Sequence, residues 1–400
     1  MLITYGGAHY KIIRPIYKSL LKNFSEDEVI LLALTTAQSS CDKDRIQYRT
    51  LKSYKHLFDI NDIFKIGKSL ISRSDVNLDY EESLLYHGLS FSDLSKNFGT
   101  EAATDLYKKF GRAAFLPITT MKRIISNENA NVVVATDSPR FEQAALSAAN
   151  ELAIKSICIP TLFGNREISD KMLHETNSTF YRPKYDFAYV AHIKAKINIL
   201  NSETDRDSDS VAVTGSPIFD EVIARYGNGY TSKMSKKYLN YKTIYFYATQ
   251  SYGNSINMLK EVLLPFISQQ QDIVLIVKPH PGEDVANYSF LQEINDVSLL
   301  LDVDANEISS FSDLVIIEDS TVGLEALLMK KNVVSVSLDA NKCNNFRDFD
   351  LCSIVYNFSD LADFLRKFSL QNKSNYSIKS FYRKDSLSVD CIVKLIRKEL

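Results

Sequence analysis

DLVIIEDSTVGLEALLMKKNVVSV, residues 313 to 336, passes from a short apolar run through a polar turn into a helical pattern, and then into a second apolar run. Two apolar runs of this length, separated by one amphipathic helix, predict two parallel strands joined by a crossover helix. A parallel sheet is buried by helices on both faces, so this stretch predicts an α/β fold.

The same alternation of strand and helix extends over the rest of the chain. Apolar strands are predicted at residues 1–5, 29–34, 132–136 and 156–159, and in a second series at 212–214, 243–248, 273–277, 314–317 and 333–336. The polar stretch 201–210 separates the two series and predicts a boundary. We therefore predict two Rossmann-like doubly wound domains, 1–205 and 206–400, that face a cleft. A largely helical insert is expected at about 60–125, and the last helix either stays in the second domain or returns to the first.

Composition restricts the class of protein. The 400 residues exceed what one hydrophobic core usually serves, and 45% hydrophobic with 24% charged residues is typical of a folded chain. A formal net charge of -2 gives no basic field, so nucleic acid is not an expected partner. The five cysteines form no C-x-x-C pair, which excludes a zinc ribbon. Without a signal peptide or a membrane-length apolar run, we expect a cytoplasmic protein whose membrane contact, if any, is peripheral at the inner face.

The first candidate site is the sequence YGGAH, which directly follows the opening strand. Gly6 and Gly7 allow a tight turn and the close approach of a ligand to the backbone. His9 then stands at the end of this strand, where an imidazole can remove a proton from a hydroxyl group. The alternative is a histidine that only caps or packs its helix.

The second candidate is the sequence VKPHPGE at the carboxyl end of a strongly apolar strand. The prolines on either side of His280, the second of them Pro281, fix the backbone and prevent a helix from starting there. Lys278 and His280 therefore lie where an open α/β sheet holds phosphate groups, and Pro281 is expected to line the same substrate site. A buried structural histidine is the alternative.

The third candidate is the polar turn of the stretch quoted first, with Glu318, Asp319, Ser320 and Thr321. Ser320 or Thr321 is predicted to cap the following helix, whose free N–H groups form an anion site. Glu325, about one turn further on, is predicted to accept hydrogen bonds from a ribose diol. Alternatively, Asp319 and Ser320 only cap the helix and Glu325 is solvated.

Two further strand ends carry candidate residues. Gly215 and Ser216 either line a ligand site or form a plain connection between a strand and a helix. Asp137 either orients His9, acts as a base itself, or caps the next helix.

Sequences typical of dinucleotide-binding, P-loop and hydrolase proteins are missing, and the other histidines lack the spacing of metal ligands. We therefore predict neither a metal site nor a cofactor.

Together these motifs resemble the two-domain glycosyltransferases of the GT-B fold. The segments VTGSPIFDEV, VKPHPGE and the opening stretch are similar in order and spacing to bacterial polysaccharide enzymes: the CDP-glycerol glycerophosphotransferases, the capsule transferases and the non-hydrolysing UDP-GlcNAc 2-epimerases. YGGAH with the following Pro15 resembles the glycine-rich loop of UDP-sugar glycosyltransferases. The segment TDSPRFEQAALSAANELAIKSICIPTL resembles the strand–helix–strand unit that precedes the Gln-His-Gly motif of the glycerophosphotransferases.

This chain departs from those families at two places. Residues 162–164 read Leu-Phe-Gly where the glycerophosphotransferases have Gln-His-Gly, which weakens an assignment to them. Residues 319–322 read Asp-Ser-Thr-Val where the epimerases have Asp-Ser-Gly-Gly, which weakens an assignment to those enzymes. The resemblance of the fold is unaffected by either change.

The resemblance implies a metal-independent glycosyltransferase that moves a sugar from a UDP- or CMP-type donor to a hydroxyl of a cell-surface polysaccharide or lipid-linked glycan. Because a candidate base exists, we expect the transfer to invert the configuration. The nucleotide sugar is a substrate, so no cofactor is implied. Lys278 and His280 would then face the donor phosphates, and Glu325 would hold the ribose. His9, oriented by Asp137, would deprotonate the acceptor in the first domain. A UDP-sugar 2-epimerase or a glycerophosphotransferase on the same fold is the alternative.

Overall fold

The computed structural model describes every residue of the chain except 72–78, 162–171, 173–175, 177–178, 228–229, 251–252, 281, 340–343, 349 and 369–386. The chain forms two compact units, the first comprising Met1–Ile218 and the C-terminal helix, and the second beginning at Phe219. Each unit has its own hydrophobic core.

The first unit is built on the parallel strands β1 to β6. Their bounds are Leu2–Thr4, Leu31–Ala33, Val132–Ala135, Lys155–Cys158, Phe187–Val190 and Val211–Val213. The order across the sheet is β2-β1-β3-β4-β5-β6. The chain order reverses between β1 and β3, and doubly wound sheets bind ligands at the carboxyl ends of the strands at such a point. A ligand site in this unit is therefore expected at the carboxyl ends of β1 and β3.

Helices surround this first sheet. Their bounds are Ala8–Leu20, Ala37–Asp44, Ile60–Leu70, Tyr80–Phe98, Thr100–Phe110, Ile118–Asn127, Phe141–Glu151, Ile193–Ser202 and Ser388–Glu399. A further helix, Pro217–Tyr226, begins at the end of this unit and lies mostly in the second. The last helix packs against Ala8–Leu20 and buries Ile392, Val393 and Ile396, so the end of the chain lies in the first unit. A side chain at Gly215 would collide with Ser388 of this helix, so the close approach requires glycine there.

The second unit is built on the parallel strands β7 to β12. Their bounds are Thr243–Ala248, Ile273–Lys278, Val297–Leu299, Leu314–Ile317, Asn332–Val336 and Ser353–Val355. The order across the sheet is β12-β11-β10-β7-β8-β9, which is the arrangement of a Rossmann fold with its reversal between β7 and β10.

The helices of the second unit are shorter. Their bounds are Ser255–Met258, Leu264–Ile267, Ala305–Phe311, Thr321–Leu328, Asn345–Asp348 and Phe358–Lys367. The first two are joined by a π-helical turn at Leu259–Leu263, so they form one continuous helical segment. In the part of the chain that the structure describes, no helix combines the length and the apolar character that a bilayer span requires.

The sequence pattern misplaced one strand and missed three. The prediction that residues 212–214 open the second series is wrong, because β6 pairs in parallel with β5 and completes the first sheet. The boundary between the units accordingly falls after Ile218 and not at residue 205. Strands β9 and β12 are sheet edges with partly exposed side chains, so they lack the apolar run that marks a buried strand. Strand β5 is buried but only four residues long.

Candidate functional site

In the first unit, His9 lies in the first turn of the helix that follows β1. Gly7 precedes this helix with φ 67° and ψ −133°, a conformation that is essentially restricted to glycine. A side chain at Gly6 would collide with Thr36. The two glycines therefore let the helix start close to the strand end, which keeps the imidazole of His9 at the carboxyl edge of the sheet.

A relay of hydrogen bonds holds this imidazole. His9 Nδ1 lies 2.6 Å from Thr136 Oγ1, and the hydroxyl of Thr136 donates to the carboxylate of Glu142. Because the hydroxyl proton is given to Glu142, the hydroxyl oxygen accepts from the N–H at Nδ1 of His9. Nε2 of His9 keeps its lone pair, so the relay selects the tautomer that a general base needs.

The carboxylate at the end of the relay is enclosed by the sheet. Glu142 is completely buried, and it also accepts from the backbone N–H groups of Tyr5 at 2.6 Å and Thr136 at 2.9 Å. Burial raises the pKa of Glu142, whereas the nearby His9 and the hydrogen bonds from Thr136 and Tyr5 act to lower it. Glu142 therefore joins the ends of β1 and β3 and orients His9 at the same time.

Asp137 has a different partner from the one that the sequence suggested. Its carboxylate accepts from the backbone N–H of Thr161 at 2.9 Å and from the Thr161 hydroxyl at 3.3 Å. Successive side chains along extended backbone point to opposite sides. Thr136 therefore faces His9, while Asp137 faces the end of β4. The hydrogen bond that orients His9 comes from Thr136 and not from Asp137.

In the second unit, Gln250 joins the ends of β7 and β10. Its side chain accepts from the backbone N–H of Asp319 at 2.9 Å and donates to the Asp319 carbonyl at 3.3 Å. The carboxylate of Asp319 in turn accepts from the backbone N–H and the side-chain amide of Asn345, both at 3.0 Å. These bonds fix the polar turn in front of the helix Thr321–Leu328.

Glu318 carries a buried carboxyl group at the same reversal of strand order. It accepts from the hydroxyls of Tyr247 and Ser255, both at 3.3 Å, and from the backbone N–H of Asn254 at 3.2 Å. Burial raises the pKa of Glu318. A side chain at Gly253 would collide with this carboxylate. Glu318 therefore lies directly beneath the loop that follows β7.

His280 lies on a loop that closes on itself. Its Nδ1 accepts from the backbone N–H of Gly282 at 3.0 Å, so the proton of the neutral ring is on Nε2. Its own backbone N–H donates to Thr249 and Glu283, each at 2.9 Å. Glu283 also accepts from the hydroxyls of Thr249 and, at 2.6 Å, Tyr288. The exposed ring of His280 thus offers one N–H donor on a fixed loop.

Lys278 is tied to the neighbouring strand end. Its Nζ donates to the carbonyl of Leu301, beyond β9, at 2.7 Å. Burial lowers the pKa of Lys278. In the sheet, β9 lies on the opposite side of β8 from β7, so this contact is away from the reversal of strand order. Pro281, also predicted to bind substrate, lies outside the described residues.

The remaining predicted residues lie at two helix starts. Ser320 is the N-cap of Thr321–Leu328, where its hydroxyl accepts from the backbone N–H of Val322 at 3.4 Å. Glu325 is buried, so the alternative in which it is solvated is wrong. Ser216 is buried directly before the helix Pro217–Tyr226.

Sequence reasoning missed the residues that organise both sites. Thr136 and Glu142 both lie in the quoted segment TDSPRFEQAALSAANELAIKSICIPTL. The hydrogen bond between them joins a strand end to the following helix, and such a contact gives no periodic signal in the sequence. Gln250 was missed because its partner Asp319 follows another strand, and Glu283 because its bond with Thr249 also joins two strand ends.

Comparison with known proteins identifies the fold. No model of a protein family matches the chain, and no curated protein matches it in sequence. Among solved structures, 100% of the chain matches 95% of S. aureus MnaA, solved with UDP, at 14% identity and a TM-score of 0.66. UDP-GlcNAc 2-epimerase from Neisseria meningitidis, bound to UDP-GlcNAc, matches over 99% of both chains at 13% identity and 0.66. The wall teichoic acid polymerase TagF matches over 100% of this chain and 87% of its own at 14% identity and 0.52. The protein thus has the two-domain α/β fold of the GT-B class, as the motifs predicted.

Proposed function

We propose that the protein is a glycosyltransferase that moves a sugar from a nucleotide-activated donor to a hydroxyl group of a polysaccharide or lipid-linked glycan. The observation that carries this proposal is the relay from His9 through Thr136 to Glu142. Attack by a hydroxyl group requires a base that accepts its proton, and the relay leaves Nε2 of His9 free for that task.

The second unit is proposed to bind the donor. Its reversal of strand order lies at β7 and β10, where Rossmann folds bind nucleotides. The N–H at Nε2 of His280 and the start of the helix capped by Ser320 are suitable donors for phosphate oxygens. Two of the similar structures contain UDP or UDP-GlcNAc, which supports a nucleotide sugar as the ligand. Glu325 and Lys278 remain proposed ligands of the ribose and the phosphates.

In the proposed reaction, Nε2 of His9 accepts the proton as the hydroxyl oxygen attacks the anomeric carbon. Glu142 stabilises the resulting imidazolium through Thr136, as a carboxylate does in other relays of this type. The bond between the anomeric carbon and the phosphate oxygen breaks, and the nucleotide leaves with the electron pair. Donors at His280 and Ser320 stabilise the negative charge that develops on the phosphate.

Two other reactions on the same fold are supported by particular observations. Epimerisation of a UDP-sugar is favoured by the match over 99% of both chains to the epimerase from Neisseria meningitidis. Transfer of glycerol phosphate is favoured by the match to the wall teichoic acid polymerase. Glycosyl transfer is preferred because the sequence departs from the corresponding motifs of both families, while His9 is prepared as a base.

Two experiments test the proposal. Thermal unfolding with UDP, CDP, CMP and GDP identifies the nucleotide, because a ligand stabilises the state that binds it. The matching nucleotide sugars, and CDP-glycerol, are then incubated with and without a glycan acceptor. Transfer that requires the acceptor supports the proposal. Conversion of the sugar without an acceptor shows an epimerase, and unchanged donors in every class refute the transferase.

Variants at histidine separate catalysis from binding. We expect His9→Ala to lower turnover by about 10²–10⁴-fold while the thermal response to the nucleotide is retained. His56→Ala is the matched control, since His56 is exposed and its Nε2 lies 3.3 Å from Oδ1 of Asn127, away from the relay. Full turnover in His9→Ala would remove the base assignment from His9.

A further inference from the structure

Arg140 has a backbone conformation that favours glycine. It lies at the end of the loop after β3, directly before the helix Phe141–Glu151, with φ 74° and ψ −119°. A side chain is strained there because Cβ crowds the backbone, and the same position before the neighbouring helix is occupied by Gly7, with φ 67° and ψ −133°. A residue that keeps a long charged side chain at such a position is a candidate for a functional role.

In the described part of the chain, the guanidinium group of Arg140 keeps one unsatisfied N–H although Glu142 and Tyr5 lie close enough to favour its charge. It stacks on the ring of Tyr5, with the central carbon 5.4 Å from the ring centroid. Its Nε is buried and, within the same residues, has no hydrogen-bond acceptor. The nearby carboxylate of Glu142 already accepts from Tyr5 and Thr136. Burying this N–H without an acceptor is unfavourable, and a bound anion supplies the acceptor.

The position of Arg140 also allows a ligand to reach it. The residue as a whole is only partly buried. Tyr5, on which the guanidinium stacks, directly precedes the Gly6–Gly7 turn and His9. Its backbone N–H donates to Glu142, the carboxylate of the His9 relay, at 2.6 Å. Arg140 therefore belongs to the same strand ends as the candidate base.

We propose that Arg140 binds an oxyanion, a phosphate or carboxylate group of the substrate, at the carboxyl edge of the first sheet. A planar guanidinium matches both groups with two parallel N–H···O hydrogen bonds. Only the identification of the ligand as substrate rests on the proposed function. The substrate class that follows is one that carries a negative charge close to its reacting hydroxyl.

Anion binding to defined variants tests this site. Arg140→Gly removes the guanidinium and relieves the backbone, while Arg140→Lys keeps the charge but not the fork. Ala153→Gly is the control, because Ala153 is another residue of this unit with a positive φ, 56°. Inorganic phosphate, pyrophosphate and acetate are titrated against each protein, and the unfolding temperature is recorded.

We expect phosphate or acetate to raise the unfolding temperature of the parent and of Ala153→Gly. The half-saturating concentration rises roughly 10- to 100-fold in Arg140→Gly, and by a smaller factor in Arg140→Lys. The stronger of the phosphate and acetate responses identifies the oxyanion. An equal anion response in the parent and in both Arg140 variants overturns the proposal.

Two further measurements test the backbone strain at Arg140 and the proposed function independently of the anion site. Without ligand, Arg140→Gly unfolds at the parent temperature or a few degrees above it, because glycine adopts this conformation without strain; a clear decrease counts against the strained-backbone part of the argument. UDP, CDP, CMP and GDP are titrated independently. If the parent responds to none of these nucleotides but shows an anion response that depends on Arg140, the proposed function is refuted and this site is supported.

Discussion

Nδ1 of His9 and Oγ1 of Thr136 lie 2.6 Å apart, although 127 residues separate them in the chain. The contact exists because β1 and β3 are neighbours in the first sheet, so the residues after them meet at one edge. The hydroxyl of Thr136 links His9 to the buried carboxylate of Glu142.

Replacing this hydroxyl tests the relay. We expect Thr136→Val, which keeps the volume, to lower kcat roughly 10²-fold with little change in KM, because the imidazole loses its orientation. Thr136→Ser keeps the hydroxyl and retains kcat within a few-fold. ¹⁵N chemical shifts of His9 report the tautomer without any substrate. An unchanged tautomer in Thr136→Val would show that another group selects it.

The buried carboxyl group of Glu318 makes stability depend on pH. Burial raises the pKa of Glu318 in the folded protein above the value near 4.5 that a glutamate has in the unfolded chain. At pH values between the unfolded-state pKa and the folded-state pKa, the folded unit therefore binds more protons than the unfolded chain. The contribution of Glu318 to stability is therefore complete below the lower value and is lost as the pH rises through the higher one. Glu318→Gln removes this titration. We therefore expect the free energy of unfolding of Glu318→Gln to increase relative to that of the parent as the pH rises.

Urea unfolding followed by circular dichroism, in steps from about pH 4 to about pH 8, measures this difference. Glu293→Gln is the control because Glu293 is exposed on the neighbouring segment Val285–Glu293. Curves for Glu318→Gln and the parent that stay parallel over the whole range contradict the expectation.

The loop that carries His280 depends on Glu283. Glu283 accepts from the backbone N–H of His280 at 2.9 Å and from the Tyr288 hydroxyl at 2.6 Å, so its removal frees the loop. We expect Glu283→Ala to weaken nucleotide binding roughly tenfold, and Tyr288→Phe, which deletes one donor, to weaken it less. Isothermal titration with the nucleotide found by thermal unfolding gives both constants. Glu293→Ala serves as the control, and equal affinity in all these proteins excludes a nucleotide contact at this loop.

Lys278 separates a structural contact from a phosphate ligand. Its Nζ donates to the carbonyl of Leu301 at 2.7 Å. If this bond is its main role, Lys278→Met lowers the free energy of unfolding by about 1 kcal/mol and leaves nucleotide affinity within twofold. Unfolding and titration of the same preparation measure both effects. A tenfold loss of affinity with unchanged stability would instead place the ammonium group on the donor phosphates.

Much of the fold was predictable from local pattern. Buried parallel strands are continuous apolar runs, so β7, β8, β10 and β11 were found within a residue of their bounds. The edge strands β9 and β12 were missed because one side of each is partly solvated and the run is broken. The order of strands in each sheet was not predictable from these runs, because any run of this kind can pair with any other.

In the candidate sites, too, local sequence predicted some residues and only long-range contacts revealed the others. The strand ends that carry His9, His280 and Ser320 were found because glycine, proline and hydroxyl residues mark where a strand turns into a helix. Their partners Glu142 and Glu283 carry no such mark. Asp137 and Thr136 are adjacent in the sequence, and only the direction of their side chains decided which of them contacts His9.

The order of residues was enough to predict a parallel α/β architecture and to locate the turns that form the candidate sites, because both depend on residues within one strand and one helix. The three-dimensional structure was needed to show that β6 belongs to the first sheet, that Thr136 links His9 to Glu142, and that the buried Nε of Arg140 has no acceptor among the described residues. These features depend on pairing between segments far apart in the chain. Hydrogen bonds and charges across such distances leave no periodic trace in the order of residues.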